Sequence, residues 1–123
     1  QMSSDLVSSV YPGTSPLIAR GLRYIKTNFT HKIKLGDIAG ELHVNPSYFS
    51  ALFSQGMGRT FTDYVLELRV NKAKELLSGT NMDILDISGS CGFENQSYFT
   101  KVFRNRTGMT PRQYRQSGTV SEQ

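Results

Sequence analysis

The most informative stretch of the sequence is residues 83–115, which read DILDISGSCGFENQSYFTKVFRNRTGMTPRQYR. It holds a short apolar segment, a glycine-containing turn and, after Asn95, a second segment with apolar residues one helical turn apart. Asn is a preferred N-cap residue, and glycine commonly follows the end of a helix. This order is typical of a helix-turn-helix unit, with helices from Asp83 to Cys91 and from Asn95 to about Arg106.

The same pattern occurs once more, 50 residues upstream. In the first helix and turn the offset is 49, with Ile38 matching Ile87, so the second copy has one extra residue in its turn. The sequence therefore predicts a first helix-turn-helix unit over about 35–57 and a second over about 83–106. The pairs at a spacing of 50 are Tyr48-Phe49 with Tyr98-Phe99, Phe53 with Phe103, Gly58 with Gly108, Thr60 with Thr110, and Tyr64 with Tyr114.

A longer helix is predicted between the two units, from about Thr60 to Leu77. Its first half has apolar residues on one side and its second half has them on nearly the opposite side. A helix with two apolar faces packs against two bodies, one at each end. The first face is formed by Phe61, Tyr64, Val65 and Leu68, and the second by Leu66, Val70, Ala73 and Leu77.

The predicted fold is all-α, with two homeodomain-like helix-turn-helix subdomains joined by this linker helix and about seven helices in total. The domain spans 15–116 and opens at Ser15-Pro16, an N-cap followed by proline at the first helical position. Residues 1–14 and 117–123 have the composition of a linker and a tail. The alternative architecture is a helical solenoid for protein contacts, but two repeats are few for a solenoid.

Composition points to an anionic partner. Fourteen Lys and Arg against ten Asp and Glu give a net charge of +4, and residues 96–115 contain five cations and no acidic residue. A single cysteine, Cys91, excludes an internal disulfide and suits the reducing cytoplasm. No apolar run is long enough to cross a membrane. Because the chain begins at Gln1 and not at Met, we expect it to be a fragment of a longer protein.

Taken together, these residues closely resemble the signature of the AraC/XylS family of bacterial transcription regulators. The second half of that signature reads I-A, G-F, S-Y-F, F, G-x-T-P and Y-R, and the resemblance extends over about Ile18 to Arg115. The residues that match it are Ile87-Ser88, Gly92-Phe93, Ser97-Tyr98-Phe99, Phe103, Gly108-Met109-Thr110-Pro111 and Tyr114-Arg115, with Leu35, Ile38-Ala39, Ser47-Tyr48-Phe49, Phe53, Gly58 and Phe61 upstream and Arg69, Ala73 and Leu76-Leu77 in the linker.

The resemblance implies a seven-helix monomeric unit that binds double-stranded DNA through two major grooves. It also implies an effector or dimerisation domain elsewhere in the full protein. Three positions depart from the pattern. His43 lies where the second copy has Gly92, a position that often needs positive φ, which His tolerates better than most residues. Ser88 replaces the usual Ala, and Lys34 replaces a Ser or Thr cap, so we expect fraying at that helix start.

In the second recognition helix we expect Phe99, Val102 and Phe103 to face inward and the opposite side to contact bases. Gln can bond adenine, Lys can reach guanine acceptors, and the Thr methyl can touch thymine. The alternative for such a face is a solvated polar surface, but this one lies at the helix start that helix-turn-helix proteins insert into DNA. The predicted base-contacting residues of this helix are Gln96, Ser97, Thr100 and Lys101.

The first recognition helix offers Ser47, Ser50 and Ala51 as its base-contacting residues. These side chains are short and uncharged, so they permit close approach but supply little discrimination. Two interpretations stay open for this helix: it reads bases directly, or it only positions the domain. Two recognition helices about 34 Å apart would enter successive major grooves on one face of DNA.

Phosphate contacts are expected at the helix starts and from exposed cations. Asn45 and Asn95 would cap the two helices, whose exposed amide groups favour phosphate. Tyr48 and Tyr98 can also reach backbone oxygens, or they can be packing residues with an exposed hydroxyl. Arg69 is predicted to be structural. The expected phosphate-contacting residues are Asn45, Tyr48, Asn95, Tyr98, Arg104, Arg106 and Arg112.

No pattern of an enzyme, a cofactor site or a metal site is present. His31 and His43 lack Cys partners at zinc spacing, and Cys91 follows Ile87 by one helical turn, which places it in the core. The competing function is a helical protein-interaction module, for instance one that contacts RNA polymerase with little base readout. The sequence does not indicate the target operon, the effector, or whether the protein activates or represses.

Overall fold

The computed structural model describes residues 15–121, with side chains described through residue 117. The prediction of a linker over residues 1–14 lies outside the described residues. Within the described range there are seven helices and no strand, which confirms the all-α prediction. The helices are α1 Pro16–Asn28, α2 Leu35–Leu42, α3 Pro46–Met57, α4 Phe61–Gly79, α5 Ile84–Ser90, α6 Gln96–Thr107 and α7 Pro111–Ser121.

Two of these helices differ in length from the sequence-based expectation. The linker helix α4 is continuous through Arg69, as predicted, but includes Gly79 at its end. The last helix, α7, extends to Ser121 and is therefore longer than the short turn that the sequence predicts after Thr110-Pro111. Residues 117–121, which the sequence predicts to be part of a tail, are helical.

Asparagine caps start both recognition helices, as predicted. The Oδ1 atom of Asn45 accepts hydrogen bonds from the backbone amides of Ser47 and Tyr48 at 2.8 and 3.3 Å. The Oδ1 atom of Asn95 accepts one from the amide of Tyr98 at 2.8 Å. Each cap satisfies amide groups that have no partner inside the helix, so it fixes where the helix begins.

The start of α2 is supported from within the helix. Lys34 makes no side-chain cap hydrogen bond. Instead, the carboxylate of Asp37 accepts a hydrogen bond from the backbone amide of Lys34 at 2.9 Å. Asp37 also lies in the first turn, where a negative charge is favourable next to the helix dipole. The missing Ser or Thr cap therefore does not leave this helix end unsupported.

In both copies the turn between the two helices of the unit contains one left-handed residue. His43 has φ +61° and Gly92 has φ +98°, so the left-handed conformation expected at His43 is present. The backbone amide of the residue that follows each of them donates a hydrogen bond to a carbonyl of the first helix. Val44 donates to the Ala39 carbonyl at 2.9 Å, and Phe93 donates to the Ser88 carbonyl at 3.1 Å. These hydrogen bonds close the helix end and direct the chain toward the recognition helix.

By its contacts the described chain divides into two compact units, one of residues 15–28 and 32–65 and another of residues 29–31 and 66–121. In the first unit α1 crosses close to α3. A Cβ atom on Gly21 would lie 2.8 Å from the Phe49 ring, so a larger residue would have to displace this ring. The buried hydrophobic residues of this unit are Ile18, Ile25, Ile38, Ala39, Leu42, Phe49, Phe53 and Val65.

The core of the second unit is built on aromatic rings in edge-to-face contact. Phe99 and Phe103 have ring centroids 5.7 Å apart, and Phe103 and Tyr114 are 5.5 Å apart. The corresponding pairs in the first unit, 50 residues upstream, lie at 5.8 and 5.7 Å. The sequence repeat is thus also a repeat of side-chain packing. The buried residues of this core are Val70, Ala73, Leu77, Ile87, Cys91, Phe93, Phe99, Val102 and Phe103.

Two arginine side chains donate hydrogen bonds to backbone carbonyl groups in the second unit. Arg69 donates from its guanidinium to the carbonyls of Phe29 and His31 at 2.8 and 2.9 Å, so it is structural, as predicted. Burial lowers the pKa of this guanidinium from its ordinary value. Arg115 binds the carbonyls of Leu77 and Thr80 at 2.9 and 3.1 Å. The sequence reasoning assigned no such role to Arg115.

Truncating a core ring tests the orientation of α6. Phe103 is fully buried, and Phe103→Ala should lower the free energy of unfolding by about 3 to 5 kcal/mol. Leu85 is 62% exposed, and Leu85→Ala is the matched control, with an expected change of about 0.5 kcal/mol or less. Urea unfolding followed by circular dichroism measures both. An unchanged midpoint for Phe103→Ala would mean that α6 faces the core with a different side.

The surroundings of Gly92 and Gly108 predict that replacing each with alanine lowers the free energy of unfolding by different amounts. Gly92 and Gly108 both have positive φ, which costs an alanine about 1 to 2 kcal/mol. At Gly108 the added Cβ would meet no atom within 4 Å, whereas at Gly92 it would lie 2.7 Å from the Phe29 carbonyl oxygen. Gly92→Ala should therefore destabilise the protein clearly more than Gly108→Ala in the same urea titration. Equal losses would show that the crowding at Gly92 relaxes without cost.

Candidate nucleic-acid interface

Each recognition helix buries one side and exposes the other. In α3 the rings of Phe49 and Phe53 are buried, and in α6 Phe99, Val102 and Phe103 are buried. The structure places every predicted site residue at the surface. Ser50 and Thr100 are half-buried, and the exposed ones are Asn45, Ser47, Tyr48, Ala51, Asn95, Gln96, Ser97, Tyr98, Lys101, Arg104, Arg106 and Arg112.

On α6 three polar residues form a stripe opposite the aromatic core. An α-helix turns by about 100° per residue, so Ser97, Lys101 and Arg104 lie along one line. Gln96 and Thr100 flank this line on one side, and Tyr98 and Asn105 flank it on the other. The stripe therefore presents two long cationic side chains and one hydroxyl group, and α6 contains no acidic residue.

The equivalent stripe on α3 has no charge. Ser47 and Ala51 occupy the positions of Ser97 and Lys101, and α3 contains no charged residue at all. Gln55 is a further exposed residue of this face, and the sequence did not single it out. It follows Ala51 by one helical turn and bears a long amide side chain. The structure thus adds a hydrogen-bonding group to a face that the sequence seemed to leave with short side chains only.

The two repeated tyrosines are exposed near the starts of the recognition helices. Tyr48 is 56% exposed and Tyr98 is 44% exposed. The Tyr98 ring also packs edge-on against Phe93, with centroids 6.0 Å apart. Tyr98 therefore combines a packing contact with an accessible side chain, so both roles considered for it are compatible with its position.

The predicted cations do not all lie on the recognition helix. Lys101, Arg104 and Arg106 belong to α6, whereas Arg112 belongs to α7. Arg112 lines a shallow cavity of about 310 Å³ that it shares with Asp83 and Arg115, among others. It is therefore placed beside the start of α5 and not on the stripe that Lys101 and Arg104 form.

Neither a metal site nor a membrane span is found among the described residues. No group of three or more His, Cys, Asp or Glu side chains between residues 15 and 121 is arranged to hold a metal ion. None of the helices in that range has the length and apolar character of a membrane span. Cys91 is fully buried, as predicted, and burial raises the pKa of its thiol to about 11. A buried, protonated thiol is a poor nucleophile.

Comparison with known proteins gives consistent matches. A family model described as a helix-turn-helix domain matches residues 38–117. The regulatory protein PocR of Salmonella typhimurium is 38% identical over 97 residues, which is 79% of this chain. Among solved structures, the C-terminal domain of AraT, a response regulator from Geobacillus stearothermophilus, is 34% identical with a TM-score of 0.82, covering 84% of this chain and 86% of that one.

A further solved structure has a similar fold over most of its length. It is a transcriptional regulator from Chromobacterium violaceum, described as an AraC-type DNA-binding domain-containing protein. It is 31% identical with a TM-score of 0.77, over 84% of this chain and 92% of that one. Against the Salmonella relative, by contrast, the match covers 32% of the relative's length. The chain thus spans about a third of that protein.

The buried thiol gives a test of the second unit's core. Folded Cys91 should react with a maleimide far more slowly than a free thiol, at a rate limited by opening of the domain. Because its pKa is raised to about 11, the unfolded state loses the thiol proton at lower pH than the folded state. Stability from this group is therefore present below about pH 8.5 and lost as the pH rises toward 11. Rapid labelling at neutral pH without denaturant would contradict the burial.

Proposed function

The chain belongs to the AraC/XylS family of transcription regulators and is a DNA-binding helix-turn-helix domain, and we propose that it inserts α3 and α6 into successive major grooves. The observation that carries this proposal is the exposed stripe of α6. Ser97, Lys101 and Arg104 lie opposite a fully buried aromatic face, on a helix without an acidic residue. Such a face suits the negative potential and the acceptor groups of a major groove.

Base recognition is assigned mainly to α6. Gln96 can form a bidentate pair with adenine, Lys101 can donate to guanine O6 and N7, and the Thr100 methyl group can contact thymine. Ser97 stands on the same face with a hydroxyl group that can donate or accept. All four residues are exposed or half-buried and close to the helix start. We infer that α6 supplies the directed hydrogen bonds of the site.

In α3, Ser47, Ser50 and Ala51 allow close approach to the groove floor and discriminate weakly. The exposed amide of Gln55 is one turn farther from the helix start. Phosphate contacts are assigned to the helix starts and the exposed cations, which hold the domain on the duplex without reading sequence. These residues are Asn45, Tyr48, Asn95, Tyr98, Arg104, Arg106 and Arg112.

The full protein is proposed to join this domain to an effector or dimerisation domain and to act on DNA in the cytoplasm. The partial coverage of the Salmonella relative supports a longer protein. The Salmonella relative is named a regulatory protein, and no enzymatic role is proposed for this domain. A second candidate function is a contact with RNA polymerase. It is favoured by Leu85, which is 62% exposed and has Asp86 beside it.

Salt dependence separates the two functions. Binding through several phosphates releases counterions, so the DNA affinity falls steeply as salt rises, with a log–log slope of about −0.9 for each phosphate contact. A protein contact through an exposed leucine lacks this steep fall. Fluorescence anisotropy of a labelled duplex, titrated with this chain at several salt concentrations, gives the slope directly.

Base readout is tested with single-base-substituted sites at fixed salt. A duplex selected from random sequence supplies the reference site. Each good bidentate contact contributes about 1 to 3 kcal/mol of discrimination. Gln96→Ala and Lys101→Ala should therefore relax base preference within one half of the site, while Ser47→Ala and Ser50→Ala have smaller effects. Arg104→Ala should weaken binding to all sequences alike and flatten the salt slope.

The reverse pattern would contradict the assignment of base recognition to α6. If Ser50→Ala abolished base preference while Gln96→Ala and Lys101→Ala left it intact, α3 and not α6 would be the reading helix. The matched comparison is internal, because Ser47 and Ser97 occupy equivalent positions in the two copies. All of these residues lie at the surface, so thermal midpoints of the variants should stay close to that of the parent chain.

A further inference from the structure

A groove runs along the side of α6 that faces α4. It has a volume of about 330 Å³ and is lined by Leu66, Tyr98, Lys101, Val102, Asn105 and Arg106. Its apolar surface comes from half-buried Leu66 and buried Val102, and its polar groups come from four side chains of α6. Leu66 also packs against the core of the second unit, and Asn105 is an exposed amide on this flank of α6.

The position of this groove follows from the helix geometry. At about 100° per residue, Tyr98 and Asn105 lie roughly a quarter turn around α6 from the stripe of Ser97, Lys101 and Arg104. A helix with its side chains is about 10 to 12 Å wide, and the major groove of B-DNA is about 12 Å wide. A helix inserted with Gln96, Ser97, Thr100 and Lys101 toward the bases therefore turns the flank of Tyr98 and Asn105 toward a sugar-phosphate wall.

We propose that the α4–α6 groove seats one segment of the DNA backbone, with Asn105 as a phosphate ligand. This inference rests on the proposed insertion of α6. The Asn105 amide, the Tyr98 hydroxyl and the Arg106 guanidinium are all donors that can bind phosphate oxygens. The apolar surface of Leu66 and Val102 matches the C–H face of a deoxyribose. Lys101 lies on the border between this groove and the base-facing stripe.

The first unit lacks the cations of this seat. At the spacing of 50, Lys101 corresponds to Ala51 and Arg106 corresponds to Gly56, while Asn105 corresponds to Gln55. The matching flank of α3 therefore keeps an amide and Tyr48 but bears no charge. The backbone seat is thus a property of the second unit. Asn71, an exposed asparagine of α4 that does not line the groove, offers a matched control for Asn105.

The first test uses the intact chain and the selected duplex. Asn105→Ala should weaken binding about fivefold, equally for the reference site and its base-substituted forms, because a phosphate contact carries no sequence information. The salt slope should stay unchanged, since the amide is neutral. Arg106→Ala should weaken binding by about tenfold and reduce the slope by about one. Asn71→Ala should change the affinity by less than about twofold.

The second test locates the contacted phosphate. A series of duplexes each has one neutral methylphosphonate in place of a phosphate. For the parent chain one position, or two adjacent ones, in the half-site read by α6 should cost about fivefold or more in affinity. With Asn105→Ala the same substitution should cost clearly less, because the contact is already lost. This non-additivity identifies the pair of groups in contact.

Several outcomes would overturn the proposal. These are an unchanged affinity for Asn105→Ala, strictly additive losses at every methylphosphonate position, or an equal loss for Asn71→Ala. In each of these cases the parent chain still binds the duplex with a steep salt dependence, so the proposed function stands. If the parent chain itself shows no salt-dependent binding to any duplex, the proposed function fails first. Unfolding midpoints confirm that these surface variants remain folded.

Discussion

The direction of each recognition helix depends on one left-handed backbone residue. His43 and Gly92 take this conformation in the two turns, with φ of +61° and +98°. The backbone amide of the residue after each donates a hydrogen bond to the preceding helix. This hydrogen bond fixes the direction in which the chain leaves that helix. In the second unit the Phe29 carbonyl oxygen and the Arg69 guanidinium also press against this residue, so a side chain has no room. The first copy accepts histidine and the second needs glycine.

Once these turns are set, the aromatic repeat determines which side of each recognition helix meets solvent. Phe49 with Phe53 and Phe99 with Phe103 bury equivalent faces, with ring centroids 5.8 and 5.7 Å apart. The polar stripes therefore occupy equivalent positions in the two copies while differing in chemistry. The copy with serine and alanine on its stripe is neutral, and the copy with lysine and arginine is basic. The two copies therefore share the packing of the recognition helix but differ in the chemistry of its exposed face.

Much of this architecture follows from local sequence patterns. The spacing of 50 and the apolar periodicity predicted the helices, the caps at Asn45 and Asn95, and the burial of the phenylalanines, and the structure confirms them. Contacts between distant residues were harder to foresee. Arg115 binds the carbonyl of Leu77 across 38 residues, and a lone arginine in a sequence does not reveal its partner. The sequence did not single out Gln55 and Asn105, because a polar residue that binds a partner and one that only faces solvent occur at the same positions of a helix pattern. The identity of the atoms that meet DNA stays a prediction.

The central claim is that one chain places two helices in successive major grooves of the same duplex. The most direct measurement is a hydroxyl-radical and guanine-methylation footprint of this chain on a selected duplex. The account predicts two protected patches on one face of the DNA, with major-groove protection centred about 10 base pairs apart. A single protected patch, or two patches on opposite faces of the duplex, would contradict it.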